Sequence, residues 1–279
     1  MRIDDALIWA QYTLVNSDTP LLDAQVLLAF VLGKETVYLL TWPERDLTRE
    51  QKEQFETLIS QRVNGVPVAH LTGIREFWSL PLMVNNSTLI PRPDTEVLVE
   101  SVLAEYAIEA KIRILDLGTG TGAIILALAS ELPKASCFGV DFSADAVNLA
   151  KQNAQQLAIN NVQFQKSDWF KNVTGKFDVI VSNPPYIDAQ DRHLQKGDVR
   201  FEPLSALVAD NHGLADIQRI AEQAPDYLND GGYLFIEHGY DQANAVTAML
   251  TKLAYSQIRT VKDYGDNDRI TVAVFSKKQ

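Results

Sequence analysis

The sequence lacks the features that mark secreted and membrane proteins. Cys137 is the one cysteine among 279 residues, so no internal disulfide can form and a reducing compartment is expected. The N-terminal residues lack the charge pattern of a signal peptide, and the apolar run Ala123–Ala129 is too short to span a bilayer. We therefore expect a soluble, cytoplasmic protein without a membrane partner.

Positive charge is also scarce. The 25 Lys and Arg residues are outnumbered by 36 Asp and Glu residues, and the net charge is −11. Because binding to nucleic-acid phosphates requires clustered Lys and Arg, direct nucleic-acid binding is not expected. Histidine is rarer still, and the spacing of His70, His193, His212 and His238 matches no metal site, so we predict no metal.

What the chain does have is enough apolar sequence for a buried core. Hydrophobic residues make up 46% of it, and the length suits one large or two modest domains. The first part has helical periodicity, with Pro20 and Gly33 as the start and end of one helix and Thr48 and Gln51 as a capping box before another. We predict a small helical-bundle domain over residues 1–70.

Helical periodicity stops after this domain. Glu76–Leu80 and Leu82–Val84 have the composition of extended segments, and Asn85–Asn86 has that of a turn. Residues 71–93 are therefore predicted to form a β-hairpin linker, and residues 94–279 a second, larger domain.

Two prolines bracket Arg92 in the segment Leu89–Glu96. Proline fixes φ, so the segment should be stiff, and a helix is predicted to follow from Thr95 to about Ala107. Both a rigid linker and a strap over a ligand cleft fit this pattern.

The stretch Ile112–Ala123 organises the second domain. Aliphatic residues up to Leu117 predict a short buried strand, and glycines follow at positions 118, 120 and 122 before a predicted helix. A strand, a glycine turn and a helix open a nucleotide-binding α/β unit, because the turn exposes bare backbone and the helix start presents unpaired N–H groups.

Two carboxylates accompany this turn. Asp116 lies two residues before Gly118, where it can reach a ligand or brace the loop. Asp141 ends the next predicted strand, where an acidic side chain can accept hydrogen bonds from both ribose hydroxyls. A strand-end cap is the alternative for each. Nicotinamide dinucleotides and S-adenosylmethionine both contain a ribose, so Asp141 does not distinguish them.

The rest of the chain alternates helices and strands. Seven strands are predicted, with Phe177–Ser182 at the centre because it is almost continuously apolar. A helix over Ala215–Leu228 and a turn at Gly231–Gly232 precede the strand Tyr233–Glu237. A four-residue join, Gly265–Asp268, favours an antiparallel hairpin that closes an open, doubly wound α/β sheet.

The tetrapeptide Asn183–Tyr186, with the sequence Asn-Pro-Pro-Tyr, ends the predicted central strand. Ligands bind beyond the carboxyl ends of the strands in such sheets, so it should share one cleft with the glycine turn. The prolines remove backbone donors, which leaves the Asn183 side-chain oxygen and the Pro184 carbonyl as rigid acceptors beside an aromatic ring. This arrangement suits a planar NH₂ group on an sp² carbon.

Asp-Leu-Gly-Thr-Gly-Thr-Gly and Asn-Pro-Pro-Tyr together resemble the S-adenosylmethionine-dependent amino-methyltransferases, which act on adenine, cytosine or glutamine nitrogens. Leu71–Gly73, Glu76–Phe77 and Ile90–Glu96, with the helical N-terminal region, closely resemble the HemK/PrmC family of release-factor glutamine methyltransferases. The resemblance covers essentially the whole chain. It implies a seven-stranded Rossmann-like methyltransferase sheet with an antiparallel last strand, and methylation of the glutamine amide nitrogen in the Gly-Gly-Gln motif of class-1 peptide chain release factors.

The resemblance also implies roles for individual residues. The catalytic residues are Asn183, Pro184 and Tyr186, and with Pro185 they form the substrate-binding set. The residues assigned to S-adenosylmethionine are Asp116, Gly118, Thr119, Gly120, Thr121, Gly122, Asp141, Asp168, Trp169, Asn183 and Arg92. In that set the glycine turn faces the methionine part, Asp141 the ribose, and Asp168 and Trp169 the adenine.

Two other functions are compatible with the sequence. A nucleic-acid adenine or cytosine amino-methyltransferase would share both motifs, although no basic target-recognition module is evident. A nicotinamide-binding oxidoreductase would share the glycine turn but leaves Asn183–Tyr186 unexplained. If the resemblance holds, residues 1–70, which have no cofactor motif, should recognise the release factor.

Overall fold

The computed structural model describes residues 1–195 and 197–277, without the side chain of His193. That histidine side chain and residues 278 and 279 of the predicted second domain therefore lie outside the described part. The chain divides into two compact units. The first contains Met1–Ile74 and Gln195–Phe201, and the second contains Arg75–Leu194 and the residues from Glu202 onward.

The first unit is helical. Its helices are α1 (Ile3–Thr13), α2 (Pro20–Leu32), α3 (Thr36–Thr41), α4 (Arg49–Val63) and α5 (Val68–Thr72). The predicted capping box is confirmed, because the Thr48 side chain accepts from the Gln51 amide and the Gln51 side chain accepts from the Thr48 amide. Gly33 has φ +60° and ends α2, as predicted. Fully buried side chains such as Phe55 and Leu27 fill the space between these helices.

A short segment from far along the sequence belongs to this helical unit. The Arg62 guanidinium donates to Asp23 Oδ2 at 2.7 Å and to Asp198 Oδ1 at 3.1 Å. Asp23 is buried, so the two hydrogen bonds place Arg62 between a fixed carboxylate and residues 195–201. Periodicity in the first 70 residues gave no indication of this segment, and the division at residues 70 and 93 stays a prediction.

A two-stranded hairpin lies within residues 71–93, and its strands are joined by a turn that the sequence did not predict. Strands β1 (Ile74–Phe77) and β2 (Leu80–Met83) are joined by Trp78 and Ser79, which have φ +53° and +58°. The expectation that these two residues are extended was wrong, whereas the predicted turn at Asn85–Asn86 is confirmed, because Asn86 and Ser87 form a turn in which Asn85 Oδ1 accepts from the Ser87 amide at 2.9 Å. Side chains distant in sequence hold the left-handed turn: Glu96 accepts from the Trp78 amide and Glu131 accepts from the Trp78 indole, each at 2.8 Å.

The second unit is built on one sheet. Within the described residues its strands are β3 (Arg113–Leu117), β4 (Ser136–Asp141), β5 (Val162–Lys166), β6 (Phe177–Ser182), β7 (Leu228–Glu237), β8 (Ser256–Lys262) and β9 (Asp268–Val274), in the order β5-β4-β3-β6-β7-β9-β8. The pairs from β5 to β7 are parallel, whereas β9 is antiparallel to both neighbours. This confirms the predicted seven-stranded α/β sheet with an antiparallel last strand.

Helices cover both faces of the sheet and bury its apolar strands. They are α6 (Glu96–Leu103), α7 (Ala123–Glu131), α8 (Ala144–Gln156), α10 (Ala215–Gln223) and α11 (Ala243–Lys252), with a short turn, α9 (Asp210–Gly213), before α10. No helix in the described ranges is long and apolar enough to cross a membrane. Strand order reverses between β3 and β6, and the cleft beyond their carboxyl ends is where this class of fold binds ligands.

Several element boundaries differ from those expected. The helix predicted over Ala215–Leu228 ends at Gln223, and Leu228 already begins β7. Gly231 and Gly232 lie inside β7 rather than in a turn, because the Gly231 amide donates to the Phe275 carbonyl and the Phe275 amide donates to Gly232, both at 2.9 Å. Similarly, α6 begins after a 3-10 turn and ends at Leu103 instead of Ala107.

Candidate active site

A cavity of about 280 Å³ opens at the carboxyl ends of β3, β4 and β6. Of the residues proposed from sequence, it is lined by Arg92, Gly118, Thr119, Gly120, Thr121, Asp141, Asp168, Trp169, Asn183 and Pro185. Asp116, Gly122, Pro184 and Tyr186 do not line it. The two sequence motifs therefore meet at one cavity, and four of the proposed residues lie one or two positions along the chain from residues that line it.

The glycine turn forms the floor of the cavity. Gly118, Gly120 and Gly122 have φ of +73°, +54° and +84°, which other residues rarely adopt. The amides of Gly118 and Thr119 both donate to the Val140 carbonyl at 2.9 Å. A Cβ at Gly118 would lie 3.5 Å from the Trp169 ring, so the indole covers the turn.

Asp116 braces this turn from behind. Its side chain is fully buried, and Oδ2 accepts a 2.6 Å hydrogen bond from the Thr119 hydroxyl. Burial, together with the smaller effect of the Asp141 charge, raises the pKa of Asp116 to about 7, although the Thr119 hydrogen bond lowers it. Oδ1 has no hydrogen-bond partner in the described part of the chain. The contact with Thr119 is that of a brace, and a direct cofactor contact stays a prediction.

Asp141 lies at the wall of the cavity and already accepts two hydrogen bonds. The Gly120 amide donates to Oδ2 at 2.9 Å and the Ser143 amide to Oδ1 at 2.8 Å. Each carboxylate oxygen can accept a second hydrogen bond, so both can still receive a ribose hydroxyl. The next residue, Phe142, is 70% exposed and also lines the cavity, where its ring can stack on a purine.

Asp168 and Trp169 lie on the opposite wall and have partners of their own. The Asp168 carboxylate pairs with the Arg219 guanidinium at 2.9 and 3.1 Å. The Trp169 side chain lies close to Asp216, another residue that lines the cavity, and opposes the rise in the pKa of Asp216 that burial causes. The indole is therefore fixed between Asp216 and the glycine turn. The adenine roles assigned to these two residues stay predictions.

Asn183 lines the cavity and has a side-chain hydrogen bond through its nitrogen. Its Nδ2 donates to the Thr95 hydroxyl at 3.2 Å, and Ser182 just before it is anchored by a 2.8 Å hydrogen bond to the Leu117 carbonyl. Among the hydrogen bonds of residues 1–195 and 197–277, none is donated to Asn183 Oδ1 or to the Pro184 carbonyl. The end of β6 thus carries two acceptors without donors.

Tyr186 is held by contacts at both ends. Its hydroxyl donates to Glu237 Oε1 at 3.2 Å, and burial raises its pKa. Its carbonyl accepts from Gln242 Nε2 at 3.0 Å. A Cβ at Gly213 would lie 2.0 Å from that carbonyl oxygen, so the chain passes closely behind it.

Arg92 is paired rather than free. One of its terminal nitrogens, Nη2, donates to both carboxylate oxygens of Glu202, at 2.8 and 2.7 Å, and the Ile90 amide donates to the same carboxylate at 3.1 Å. The Glu202 side chain is fully buried. The strap Leu89–Glu96 is therefore attached to the loop that follows β6, and a cofactor contact by Arg92 stays a prediction.

Comparison with known proteins decides the family. Residues 5–73 match the model of a PrmC N-terminal domain and residues 108–271 that of a methyltransferase domain. The release factor glutamine methyltransferase of Shewanella oneidensis is 53% identical over 272 residues, which cover 97% of this chain and 95% of that protein. That of Escherichia coli K12 is 54% identical over 257 residues, 92% of each chain. The chain belongs to the release factor glutamine methyltransferase family.

Solved structures agree on the fold. A methyltransferase from Pyrococcus furiosus has a TM-score of 0.54 at 20% identity and covers 71% of this chain and 90% of its own. A Thermus thermophilus 16S rRNA methyltransferase in complex with AdoMet and guanosine has a TM-score of 0.53 at 19% identity, covering 73% of this chain and 50% of its own. At these identities the likeness shows the methyltransferase fold alone.

The cofactor of this methyltransferase is S-adenosylmethionine, and the cavity fits it. Asp141 offers acceptors for ribose hydroxyls, Phe142 offers a ring face for adenine, and the glycine turn offers bare backbone for the methionine part. The Thr88 hydroxyl, which also lines the cavity, is buried without a hydrogen-bond partner in the described residues. A buried hydroxyl without a hydrogen-bond partner is unfavourable unless a ligand forms a hydrogen bond with it.

Sequence reasoning missed several residues of this site. Thr88, Phe142 and Asp216 line the cavity, while Glu202 and Glu237 support it from behind. Phe142 had a usable signal, because it follows Asp141 directly at the end of a strand. The two glutamates lie far along the chain from the groups they contact, and their neighbours in sequence contain no motif.

Proposed function

We propose that this methyltransferase transfers a methyl group from S-adenosylmethionine to the side-chain amide nitrogen of the glutamine in the Gly-Gly-Gln motif of class-1 peptide chain release factors. Translation termination is the process it would support. One observation carries the substrate class: no described residue donates to the Asn183 side-chain oxygen or to the Pro184 carbonyl at the end of the central strand. Two adjacent acceptors match the two N–H bonds of a primary amide.

The chemistry follows from this pair of acceptors. An amide nitrogen is a poor nucleophile because its lone pair is delocalised into the carbonyl group. When its N–H bonds point at Asn183 Oδ1 and the Pro184 carbonyl, the nitrogen gains electron density and its free face is directed away from both. S-adenosylmethionine supplies an electrophilic methyl group on a sulfonium sulfur. Holding both reactants in line can lower the barrier by roughly 7–11 kcal/mol.

Proton transfer requires no strong base at this site. The amide nitrogen becomes acidic once it carries the methyl group, so its proton can leave after transfer. Tyr186 is the last residue of the tetrapeptide and its hydroxyl donates to Glu237; in the proposed mechanism its ring excludes water from the amide plane. Asp141 would bind the ribose, Phe142, Asp168 and Trp169 would surround the adenine, and Arg92 would hold the strap beside the cofactor.

Substitution of Asn183 tests the mechanism. Asn183→Ala removes one of the two acceptors, so single-turnover methylation of release factor at saturating cofactor should slow about a hundredfold, while calorimetry should find cofactor affinity nearly unchanged. Asn183→Asp keeps an acceptor and adds a charge that attracts the sulfonium, so it should retain partial activity and bind cofactor more tightly. Asn160→Ala, at an exposed asparagine, is the matched control. A wild-type rate in Asn183→Ala would show that Asn183 does not orient the nucleophile.

The helical unit is proposed to recognise the body of the release factor. Ile8 and Tyr12 lie four residues apart on α1 and are 55% and 77% exposed, and Val15 just beyond the helix is 72% exposed. Exposed apolar side chains that cluster on one face mark protein contact surfaces. The cytoplasm, where release factors meet ribosomes, is the proposed location, consistent with a single buried cysteine.

The recognition proposal can be tested by comparing KM for intact release factor with KM for a short peptide. Ile8→Ser with Tyr12→Ser in the full chain should raise KM for intact release factor several-fold but leave KM for a short Gly-Gly-Gln peptide unchanged. Gln11→Ser, at an exposed polar position on the same helix, is the control. Equal KM values for intact factor in the double variant and the wild type would refute this surface.

A further inference from the structure

Glu237 is a buried carboxylate that the mechanism above does not use. It ends β7, two strands from the glycine turn, and its side chain is 2% exposed. It forms no ion pair within the described residues, since the nearby Arg269 guanidinium lies 2.9 Å from Asp263 Oδ2 instead. Its Oε2 also lacks a hydrogen-bond partner there. Burial of an incompletely paired carboxylate is unfavourable, so its presence calls for a functional reason.

The contacts of Glu237 lead to both ends of the Asn-Pro-Pro-Tyr motif. Its Oε1 accepts from the Tyr186 hydroxyl at 3.2 Å. The Thr95 side chain lies beside the same carboxylate, close enough to lower the pKa of Glu237. The Thr95 oxygen in turn accepts from Asn183 Nδ2 at 3.2 Å. One carboxylate is therefore connected directly to the last residue of the motif and, through one hydroxyl, to the first.

The number of protons on each group determines how Glu237, Thr95 and Asn183 can face one another. A threonine hydroxyl has one proton, and an ionised carboxylate can only accept. With its proton directed to Glu237, Thr95 can offer only lone pairs to Asn183, which must present its NH₂ group to Thr95. The amide oxygen of Asn183 is then the atom left facing the cavity.

We propose that Glu237 is a positioning residue that sets the amide orientation of Asn183 through Thr95, so that Asn183 presents its oxygen rather than its nitrogen to the substrate amide. This inference rests on the proposed function of Asn183. The reverse orientation would place the Asn183 NH₂ group against the NH₂ group of glutamine, two donors facing one another. The same carboxylate fixes the Tyr186 ring through its hydroxyl.

Glu237→Gln tests this assignment without changing the size of the side chain. A glutamine can donate to Thr95, which frees the threonine proton to turn towards Asn183 and permits the wrong orientation. We expect kcat for release factor to fall about tenfold or more, with KM and cofactor affinity within twofold of the wild type. Thr95→Val should have a similar effect, whereas Thr95→Ser, which keeps the hydroxyl, should recover most of that loss. Glu222→Gln, at an exposed glutamate, is the control.

Combining variants shows whether Glu237 acts through Asn183. If it does, Glu237→Gln should slow the reaction little further in an Asn183→Ala background, because the oriented group is already gone. Multiplicative losses, or a loss confined to KM or thermal stability, would overturn the inference. A wild-type rate for Glu237→Gln alongside an impaired Asn183→Ala would refute only the role of Glu237. A wild-type rate for Asn183→Ala itself would refute the proposed mechanism beneath it.

A pH profile gives an independent readout. Burial raises the pKa of Glu237 to about 7, with Asp94 raising it and Thr95, Arg269 and Tyr186 lowering it. A protonated Glu237 can donate to Thr95 as glutamine does, so wild-type kcat at saturating cofactor should increase as pH rises through about 7. That increase should be absent in Glu237→Gln. An identical profile in the two proteins would contradict the proposal.

Discussion

Gly213→Ala perturbs the Asn-Pro-Pro-Tyr motif from behind without touching any residue of the cavity. Gly213 has φ +81° and ends the turn in which Asn211 and His212 also have left-handed backbone. A methyl group added there would lie 2.0 Å from the Tyr186 carbonyl oxygen and 2.7 Å from Gln242 Nε2. Neither neighbour is a free side-chain end, because Gln242 holds the same carbonyl through a 3.0 Å hydrogen bond.

The size of the effect can be worked out from these distances. Contacts of a Cβ below 3.0 Å are essentially never found, so the Gly213 and Tyr186 backbones must move apart by about 1 Å. A misplacement of that size near reacting groups can slow catalysis about a hundredfold. The left-handed backbone adds about 1–2 kcal/mol of destabilisation for any residue with a Cβ. This second effect must be separated from the first.

Gly231→Ala provides that separation. Gly231 has φ +76°, close to the +81° of Gly213, but nothing lies within 4 Å of the added methyl group. Both variants should lose similar stability in urea titrations from the left-handed backbone, with Gly213→Ala losing more from the clash. A decrease in kcat, by about ten- to a hundredfold, is expected only for Gly213→Ala, and cofactor affinity should not change. If Gly213→Ala keeps the wild-type rate, or Gly231→Ala loses as much, the close contact with Tyr186 does not position the motif.

Two further predictions concern the carboxylates of the cofactor side. Asp141→Ala should weaken S-adenosylmethionine binding by about 1.5–3 kcal/mol for each hydrogen bond lost, whereas Asp145→Ala, at an exposed acidic residue, should not; unchanged affinity by calorimetry would reject the ribose role. Burial raises the pKa of Asp116 from 3.8 to about 7, so the folded protein binds a proton there more readily than the unfolded chain does. The free energy of unfolding of the wild type therefore falls as pH rises between those two values. Asp116→Asn has no proton to lose, so between pH 5 and pH 8 its free energy of unfolding should fall by about 3 kcal/mol less than that of the wild type; parallel pH dependences in urea titrations would contradict this.

The parts of the fold and site that sequence predicted are those encoded by neighbouring residues. Buried strands such as Phe177–Ser182 have continuous apolar runs, and the glycine turn needs three positive φ values at alternate positions. Each motif also follows directly after a strand. Because parallel strands end at the same edge of a sheet, adjacency in space followed from sequence position alone.

The parts that sequence did not predict depend on contacts distant in the chain. The left-handed turn at Trp78 and Ser79 contains no glycine or asparagine and is held by the carboxylates of Glu96 and Glu131. Gly231 and Gly232 have the composition of a turn, yet pairing with Phe275 keeps them in a strand. Local propensity predicted the wrong structure in both places because long-range hydrogen bonds were stronger.

The strap illustrates how distant contacts determine the chemistry that a local motif supplies. Arg92 donates to Glu202 in the loop after β6, and three residues later Thr95 accepts from Asn183 at the end of β6. Pro93 lies between them in a 3-10 turn, which fixes the spacing of the two contacts. Movement of the loop at Glu202 would therefore be transmitted through a stiff turn to the hydroxyl that orients Asn183. The motif supplies the Asn183 oxygen that accepts from the substrate amide. The strap holds that oxygen in place through its contacts with Glu202 and Asn183.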